Sequence, residues 1–305
     1  MTSNMSKTLQ QLIAIVGPTA SGKSDLAVNL ALQIGGEVIS ADSRQVYRGL
    51  DIGSGKITQD EMRHIPHHLL DVTDPLEYYS VSQYRTLASK IISEIDNRRK
   101  SIIICGGTAQ YVNSLIYDIR IPDVPPDEIL RQKLASMSKE ELFIKLTNLD
   151  PRRAQNIESK NPRRLIRAIE IIEAIGKIPP QSTSISSRAN AIICLNPPKE
   201  ELQERIKVRL RKRIEIGMIE EVKHLREDVG LSWKRLDDLG LDYRYLAKHL
   251  RGELTEGEMV RELEIKIWQY ARRQMTWWKR DPNVHFVWHT DPKCLLQQTF
   301  QIIGV

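Results

Sequence analysis

Cysteine is scarce in this chain. Cys105, Cys194 and Cys294 are three in 305 residues, too scattered for a disulfide framework and without zinc-ligand spacing. That usage suits a reducing compartment, and a cytoplasmic setting is expected. Long apolar runs are also missing. No stretch can span a bilayer, and the polar first residues lack the apolar core of a secretory leader, so no membrane association is expected. There is no internal repeat and no low-complexity tract. The last absence bears on chemistry. The apolar run Ser101-Ile102-Ile103-Ile104-Cys105 ends in Gly106-Gly107-Thr108, where many phosphate-loop ATPases and kinases place a magnesium-binding Asp. This argues against a motor or switch ATPase.

Hydrophobic residues make up 41% of the chain, enough for one large domain or two smaller ones. The formal net charge is +6, with Lys and Arg concentrated in the C-terminal two-thirds, which favours a polyanionic partner such as nucleic acid. The strongest local signal is Gly17-Pro18-Thr19-Ala20-Ser21-Gly22-Lys23-Ser24, a full match to G-x-x-x-x-G-K-[ST]. The apolar run Leu12-Ile13-Ala14-Ile15-Val16 before it reads as a buried parallel strand. After it, Leu26, Ala27, Leu30, Ala31 and Ile34 recur at helical spacing, and Gly35-Gly36 stop the helix. Strand, glycine loop and helix make a phosphate cradle. Backbone N–H groups and the helix N-terminus face the phosphates, Lys23 adds a point charge and Ser24 can ligate Mg²⁺. A di- or triphosphate ligand is expected.

Glu37-Val38-Ile39-Ser40, the run ending at Cys105, and Ala191-Ile192-Ile193-Cys194-Leu195 read as further strands. Ser80-Val81-Ser82-Gln83 is a capping box that opens an amphipathic helix through Tyr84, Leu87, Ala88, Ile91, Ile92 and Ile95. Alternating strands and helices predict a parallel α/β sheet. Between about Pro122 and Asn190 the signals turn wholly helical. Pro122, Pro125 and Pro126 break the chain, and Ser138-Lys139-Glu140-Glu141 is a capping box. Asn161-Pro162 opens a helix that stops at Gly176, and residues 179–187 read as a Pro/Ser-rich linker. The expected fold is a P-loop NTPase-like parallel α/β core, residues 1–121 plus 191–305, interrupted by an all-helical insertion at 122–190. The core's C-terminal part reads as mainly helical to about Arg280. A strand-like His285-Phe286-Val287-Trp288 and a last helix close it.

Ligands of open α/β sheets bind at the carboxyl ends of strands. Asp42 and Thr108 should therefore meet Thr19 and Ser24. The spacing leaves Asp42 open as a metal ligand, a substrate-orienting group, a general base or an ordinary turn residue. Basic residues gather at Arg205, Lys207, Arg209, Arg211, Lys212 and Arg213, at Arg163, Arg164 and Arg167, and at Arg272, Arg273, Lys279 and Arg280. For any one of them a solvated helix face is the ordinary reading, and helical periodicity spreads the first group around its axis. Their density suits phosphate contacts along a nucleic acid. Trp277 and Trp278 read as core rather than as base-stacking groups. His64, His67 and His68 read as a structural loop, since no Cys or His follows at zinc spacing.

Taken together, these segments resemble the tRNA dimethylallyltransferases (tRNA isopentenyltransferases) nearly end to end. The likeness runs through the loop Gly17 to Ser24 and then Ser40-Ala41-Asp42-Ser43-Arg44-Gln45-Val46-Tyr47-Arg48-Gly49-Leu50-Asp51-Ile52-Gly53. It continues in His68-Leu69-Leu70-Asp71, Gly106-Gly107-Thr108 and Asn161-Pro162-Arg163-Arg164-Leu165-Ile166-Arg167-Ala168-Ile169-Glu170. It ends in Gly217-Met218-Ile219-Glu220-Glu221-Val222 and Arg272-Arg273-Gln274-Met275-Thr276-Trp277. The phosphate loop is common to many enzymes; the runs from Asp42 to Gly53 and from Arg273 to Trp277 are far more specific.

The resemblance implies transfer of a dimethylallyl group from dimethylallyl diphosphate to N6 of the adenosine beside the anticodon, position 37, with release of diphosphate. It implies that Gly17, Pro18, Thr19, Ala20, Ser21, Gly22, Lys23, Ser24 and Arg209 hold the diphosphate, with Mg²⁺ on Ser24. Thr19 would bond the bridging oxygen, Lys23 and Arg209 would neutralise the leaving group, and Asp42 would orient the amine or take its proton. It further implies tRNA contacts from Asp42, Ser43, Arg44, Gln45, Thr108, Arg131, Arg163, Arg164, Leu165, Ile166 and Arg167. The target base would be flipped into the pocket, and the helical insertion would clasp the anticodon stem-loop. A monomer is expected, because one chain supplies every candidate residue. The chain looks like the bacterial form, for which no zinc-finger extension of the eukaryotic kind is expected. Two departures stand out. Ala109-Gln110 follow Gly106-Gly107-Thr108 where the family usually has Gly-Leu, and Leu241-Asp242-Tyr243 stands where it commonly has Ile-Gly-Tyr. Other readings are an isopentenyltransferase acting on free AMP, ADP or ATP, a P-loop small-molecule kinase, and an RNA-binding protein with a degenerate pocket. The Arg-rich insertion argues against the first of these, because a mononucleotide needs no clasp.

Overall fold

Strands β1 (Leu12–Val16), β2 (Gly36–Ser40), β4 (Ser101–Cys105) and β5 (Ala189–Leu195) are buried almost throughout, as strands covered on both faces are. With the short edge strands β3 (His67–His68) and β6 (Val284–Val287) they form one parallel sheet, ordered β3-β2-β4-β1-β5-β6. The structure is a computed structural model that describes residues 11–117, 119, 122, 124–178, 185 and 189–304. The polar first ten residues and the 179–187 linker, Ile185 excepted, lie outside the described residues.

In the sheet, β1 lies between β4 and β5, with Ala14 opposite Ile104 on one side and Ile192 on the other. The strand order therefore reverses beside β1, the position at which open α/β sheets form their ligand crevice. One face is covered by α1 (Lys23–Ile34) and by α14 (Pro292–Ile303) at the C-terminal end. Leu26 and Leu30 of α1 and Leu295 of α14 pack on Ile13, Ile15, Ile103 and Ile193. Each isoleucine is fully buried and contributes about 1.5–3 kcal/mol of hydrophobic stabilisation. Helix α1 ends where Gly35 takes the left-handed conformation at φ 63° and bonds back to Ala31.

A short helix α2 (Gln59–Met62) precedes β3. Helix α3 (Val81–Asn97) starts on the Ser80–Gln83 capping box and packs beside α4 (Ala109–Ile116). There Tyr84 stacks on Tyr111 with ring centroids 3.9 Å apart.

The chain divides into two compact units, and the second spans Tyr117–Ser184. Its described elements are α5 (Glu128–Ala135), α6 (Lys139–Leu149), α7 (Pro151–Gln155) and α8 (Pro162–Ile175). Leu134, Leu142, Leu146, Leu165 and Ile169 form its own apolar core. Ser138 and Glu141 cap α6 reciprocally, and Asn161 caps α8, which stops at Gly176.

The first unit continues through α9 (Lys199–Glu215), α10 (Met218–Glu227), α11 (Trp233–Leu239), α12 (Leu241–Leu250) and α13 (Glu256–Trp278). Two local expectations are corrected. Trp278 is buried, but Trp277 is 38% exposed, because neighbouring helical residues point in different directions. The histidine segment expected as a loop supplies edge strand β3, where His68 Nε2 pairs with Glu37 Oε2 at 2.7 Å. Among the described residues no group of His, Cys, Asp and Glu is arranged to hold a metal. Among them, too, no helix is long and apolar enough to cross a membrane.

Candidate active site

A cavity of ≈ 510 Å³ opens where the carboxyl ends of β1, β2 and β4 meet α9, α12 and α13. Its floor is the phosphate loop. Gly17 takes φ +138°, and a side chain there would meet Leu195 O at 2.8 Å, so the tight turn requires glycine. Lys23 Nζ donates to Pro18 O at 2.6 Å and folds back over the loop. Gly106, at the end of β4, presses so closely on the next loop that a Cβ would sit 2.2 Å from Ala41 O. The glycines at this strand end therefore admit close backbone approach, where an Asp would not fit.

Two long-range contacts hold Thr19. Its backbone N–H donates to Gln274 Oε1 at 2.9 Å, and its hydroxyl accepts from Arg209 Nη2. Gln274 Nε2 in turn donates to Gly107 O at 3.0 Å, so one buried amide ties the β1 loop to the β4 loop.

On the β2 side, Asp42 Oδ1 accepts from Arg44 N at 2.8 Å and from Gln45 N at 3.4 Å. Asp42 thus builds its own turn and also lines the cavity with Thr19, Lys23, Ser24 and Arg209. Thr108 Oγ1 accepts from Ser43 N at 3.0 Å, which ties the β4 loop to this turn. Arg44 Nε donates to Leu239 O at 2.5 Å and Gln45 Nε2 to Gly55 O at 3.1 Å.

The other sequence-predicted residues lie in the second unit. Glu170, 1% exposed, accepts from Arg131 Nε at 2.8 Å, from Arg167 Nη1 and from Asp127 N at 2.8 Å. Burial pushes its carboxyl up, but the hydrogen bonds from Arg131 and Arg167 prevail and hold it below its ordinary value. Leu165 is in that unit's core and Ile166 packs against it. Arg163 and Arg164 are exposed at the first turn of α8, where Arg164 pairs with Glu158 at 3.0 Å.

Several residues of the cavity carried no site role in the sequence reading. Arg213 lies one turn beyond Arg209 on the same helix face, and that four-residue spacing is the signal that could have found it. It approaches Gly55 so closely that a Cβ there would fall 1.5 Å from Nη2. Glu221 organises the wall that carries Gly53 and Gly55. Its carboxylate accepts the N–H groups of Asp51 (2.8 Å), Ile52 (2.5 Å) and Gly53 (3.0 Å), and the Tyr243 hydroxyl at 3.1 Å. No periodicity announces such a role, because one carboxylate serves backbone groups some 170 residues away.

The site is short of negative charge. Lys23, Arg209 and Arg213 face only Asp42 and Asp242 in its interior. Loss of hydration lowers Lys23 to about 8, with the Arg209 charge adding to the effect. Burial, followed by the like charge of Arg213, lowers Arg209 to about 9. Burial also pushes the Cys105 thiol up to about 11, which makes it a poor nucleophile. A cavity that gathers Lys23, Arg209 and Arg213 against two carboxylates is built to receive a multiply charged anion, with a carboxylate kept nearby for a second reactant.

A family model described as IPP transferase matches residues 45–281 of the chain. A tRNA dimethylallyltransferase of Anoxybacillus flavithermus is 38% identical over 298 residues, covering 96% of this chain and 95% of that protein. The crystal structure of a full-length tRNA isopentenylpyrophosphate transferase from Bacillus halodurans is 36% identical with a TM-score of 0.71, covering 97% of both chains. A eukaryotic dimethylallyltransferase acting on tRNA shares the fold at a TM-score of 0.78 and 24% identity, over 91% of this chain and 73% of its own.

Proposed function

The chain belongs to the IPP transferase family and is a prenyltransferase acting on tRNA; we propose that its cavity moves the dimethylallyl group of dimethylallyl diphosphate to N6 of the adenosine beside the anticodon, position 37, and releases diphosphate. The observation that carries this reading is the clamp on Thr19. Arg209 and Gln274 hold its hydroxyl and amide over a phosphate loop whose neighbouring strand ends in glycine rather than in a metal-binding Asp.

In this reading the amides of Gly17 to Ser24 and Lys23 seat the diphosphate, and Thr19 faces its bridging oxygen. As the allylic C–O bond breaks, charge gathers on the leaving diphosphate, and Lys23, Arg209 and Arg213 stabilise it in place. The N6 amine attacks the allylic carbon and forms the new C–N bond, and its surplus proton passes to Asp42, which also orients the amine. Ser24 and Asp42 bring a hydroxyl and a carboxylate to the same cavity. These are hard oxygen donors of the kind Mg²⁺ accepts beside substrate phosphates. Ser24 would hold the ion, which supplies further neutralisation of the diphosphate.

The adenine must leave its stack to enter the cavity, whose outer wall carries Arg44, Tyr270 and Arg273. Ser43, Gln45 and Thr108 shape the turn against which the base would rest. The second unit is assigned to the anticodon stem-loop, with Arg163 and Arg164 on its phosphates. Arg131 and Arg167 would act there through the Glu170 cluster, and Leu165 and Ile166 by placing the backbone of α8. One chain lines the whole cavity, in keeping with action as a monomer, and the tRNA substrate sets the reaction in the cytoplasm.

Competition for labelled dimethylallyl diphosphate between AMP and an anticodon stem-loop tests the acceptor. Label is expected in the stem-loop, and preferential labelling of AMP would replace the tRNA reading with a free-nucleotide one.

A further inference from the structure

Asp242, one of the two departures seen in the sequence, is the second residue of α12 and lines the same cavity as Arg209 and Arg213. Its Oδ1 is buried and has no hydrogen-bond partner. An unmade bond on a buried carboxylate is costly, and such atoms are normally satisfied by a partner or a ligand. The groups that face it are Arg213 and Arg209 from α9, Asp42 from the loop after β2, Tyr243 beside it and Tyr270 from α13. Tyr243 gives its hydroxyl hydrogen to Glu221, so it does not serve Asp242. Arg213 and Arg209 act on Asp242 through their charge, without a side-chain hydrogen bond to it, and both line the cavity with it.

We propose that Asp242 is a proton-accepting group of the diphosphate site: when diphosphate binds, the carboxylate takes a proton from solvent, and the resulting O–H donates a hydrogen bond to the bound anion. The inference rests on reading the cavity as a diphosphate site. Its logic is charge competition. Before diphosphate binds, Arg209 and Arg213 favour the ionised carboxylate. A diphosphate seated on the phosphate loop engages the same arginines and adds negative charge beside Asp242, which turns the balance towards the neutral acid. Burial already raises this carboxyl above its ordinary value despite the two arginines, so the added charge acts in the same direction. One proton is added to one oxygen, and no other bond is made or broken in that step. On release of diphosphate the proton returns to solvent and the arginines recover their counter-charge, which favours product departure.

Calorimetric titration of the full chain with magnesium diphosphate, in two buffers of different ionisation enthalpy near neutral pH, reads the proton directly. Wild type should take up about one proton more than Asp242→Asn, whose amide donates without titrating. The variant's affinity should also fall less steeply as pH rises. Should Asp242→Asn fail to fold, Asp242→Gly gives the same comparison, since it removes the titrating carboxyl altogether. Equal proton uptake by wild type and variant overturns the proposal. So does loss of the uptake in Asp42→Asn with retention in Asp242→Asn, which places the proton on Asp42. Absence of any diphosphate binding in wild type overturns the diphosphate reading itself, and the proposal with it.

Discussion

The Thr19 amide donates to Gln274 Oε1 at 2.9 Å across 255 positions of sequence. The same side chain reaches Gly107 O at 3.0 Å, so the two loops that floor the cavity share one anchor. Gln274→Ala removes both bonds and leaves a loop N–H unpaired. A loss of about 1–3 kcal/mol in diphosphate binding is expected, roughly a 5- to 150-fold rise in KM for dimethylallyl diphosphate, with the fold retained. An unchanged KM would remove Gln274 from the support of the loop.

Arg209 donates to the Thr19 hydroxyl over the phosphate loop, and a lysine cannot reproduce its planar fork. Arg209→Lys should lower kcat by about 10²–10³, the usual scale for losing one preorganised donor to developing negative charge. Single-turnover kinetics with saturating dimethylallyl diphosphate check this. A change confined to KM would make Arg209 a binding group only.

Burial lowers Lys23 to about 8 and Arg209 to about 9. Between about 8 and the ordinary 10.5, folded Lys23 has shed a proton that the unfolded chain still holds. The unligated protein therefore gains stability as pH rises through that window. Diphosphate needs the protonated forms, so its affinity should fall above pH about 8, approaching tenfold per pH unit for each proton required. Thermal unfolding with and without diphosphate across this range should show the stabilisation by diphosphate shrinking as pH rises. Parallel trends would contradict the assignment of Lys23 to the anion.

In the second unit, Glu170→Gln should destabilise the chain by about 1–3 kcal/mol, because Arg131, Arg167 and the Asp127 amide all converge on the lost charge. Its folded carboxyl titrates below the ordinary 4.5, so its contribution is present above that pH and disappears as pH falls through the folded value. Chemical denaturation at neutral and acidic pH checks both statements.

Arg163 stands exposed at the first turn of α8. If it meets a phosphate, Arg163→Ala should weaken tRNA binding and lower the slope of log affinity against log salt by about 1. An unchanged slope would remove it from the backbone contacts.

The central strands were legible because β1 and β4 are buried at every position, so their apolar runs announce them. The two residues of β3 carry no period at all and are strand only because β2 lies beside them. The phosphate loop was readable because its turns demand glycine at fixed places. Gln274 and Glu221 were harder. Each bonds backbone groups more than a hundred residues distant, and such contacts leave no local spacing to read. Asp242 was visible as a departure, but its buried and unpartnered oxygen appears only once α12 is packed against the cavity.

Mass spectrometry of nucleosides from a tRNA with adenosine beside the anticodon, incubated with the protein, dimethylallyl diphosphate and Mg²⁺, tests the central claim most directly. N6-dimethylallyl adenosine at that position is predicted, together with released diphosphate, and Asp42→Asn should abolish most of it while tRNA still binds. Unmodified adenosine after incubation with wild-type protein, or the dimethylallyl group at another position, would contradict the account.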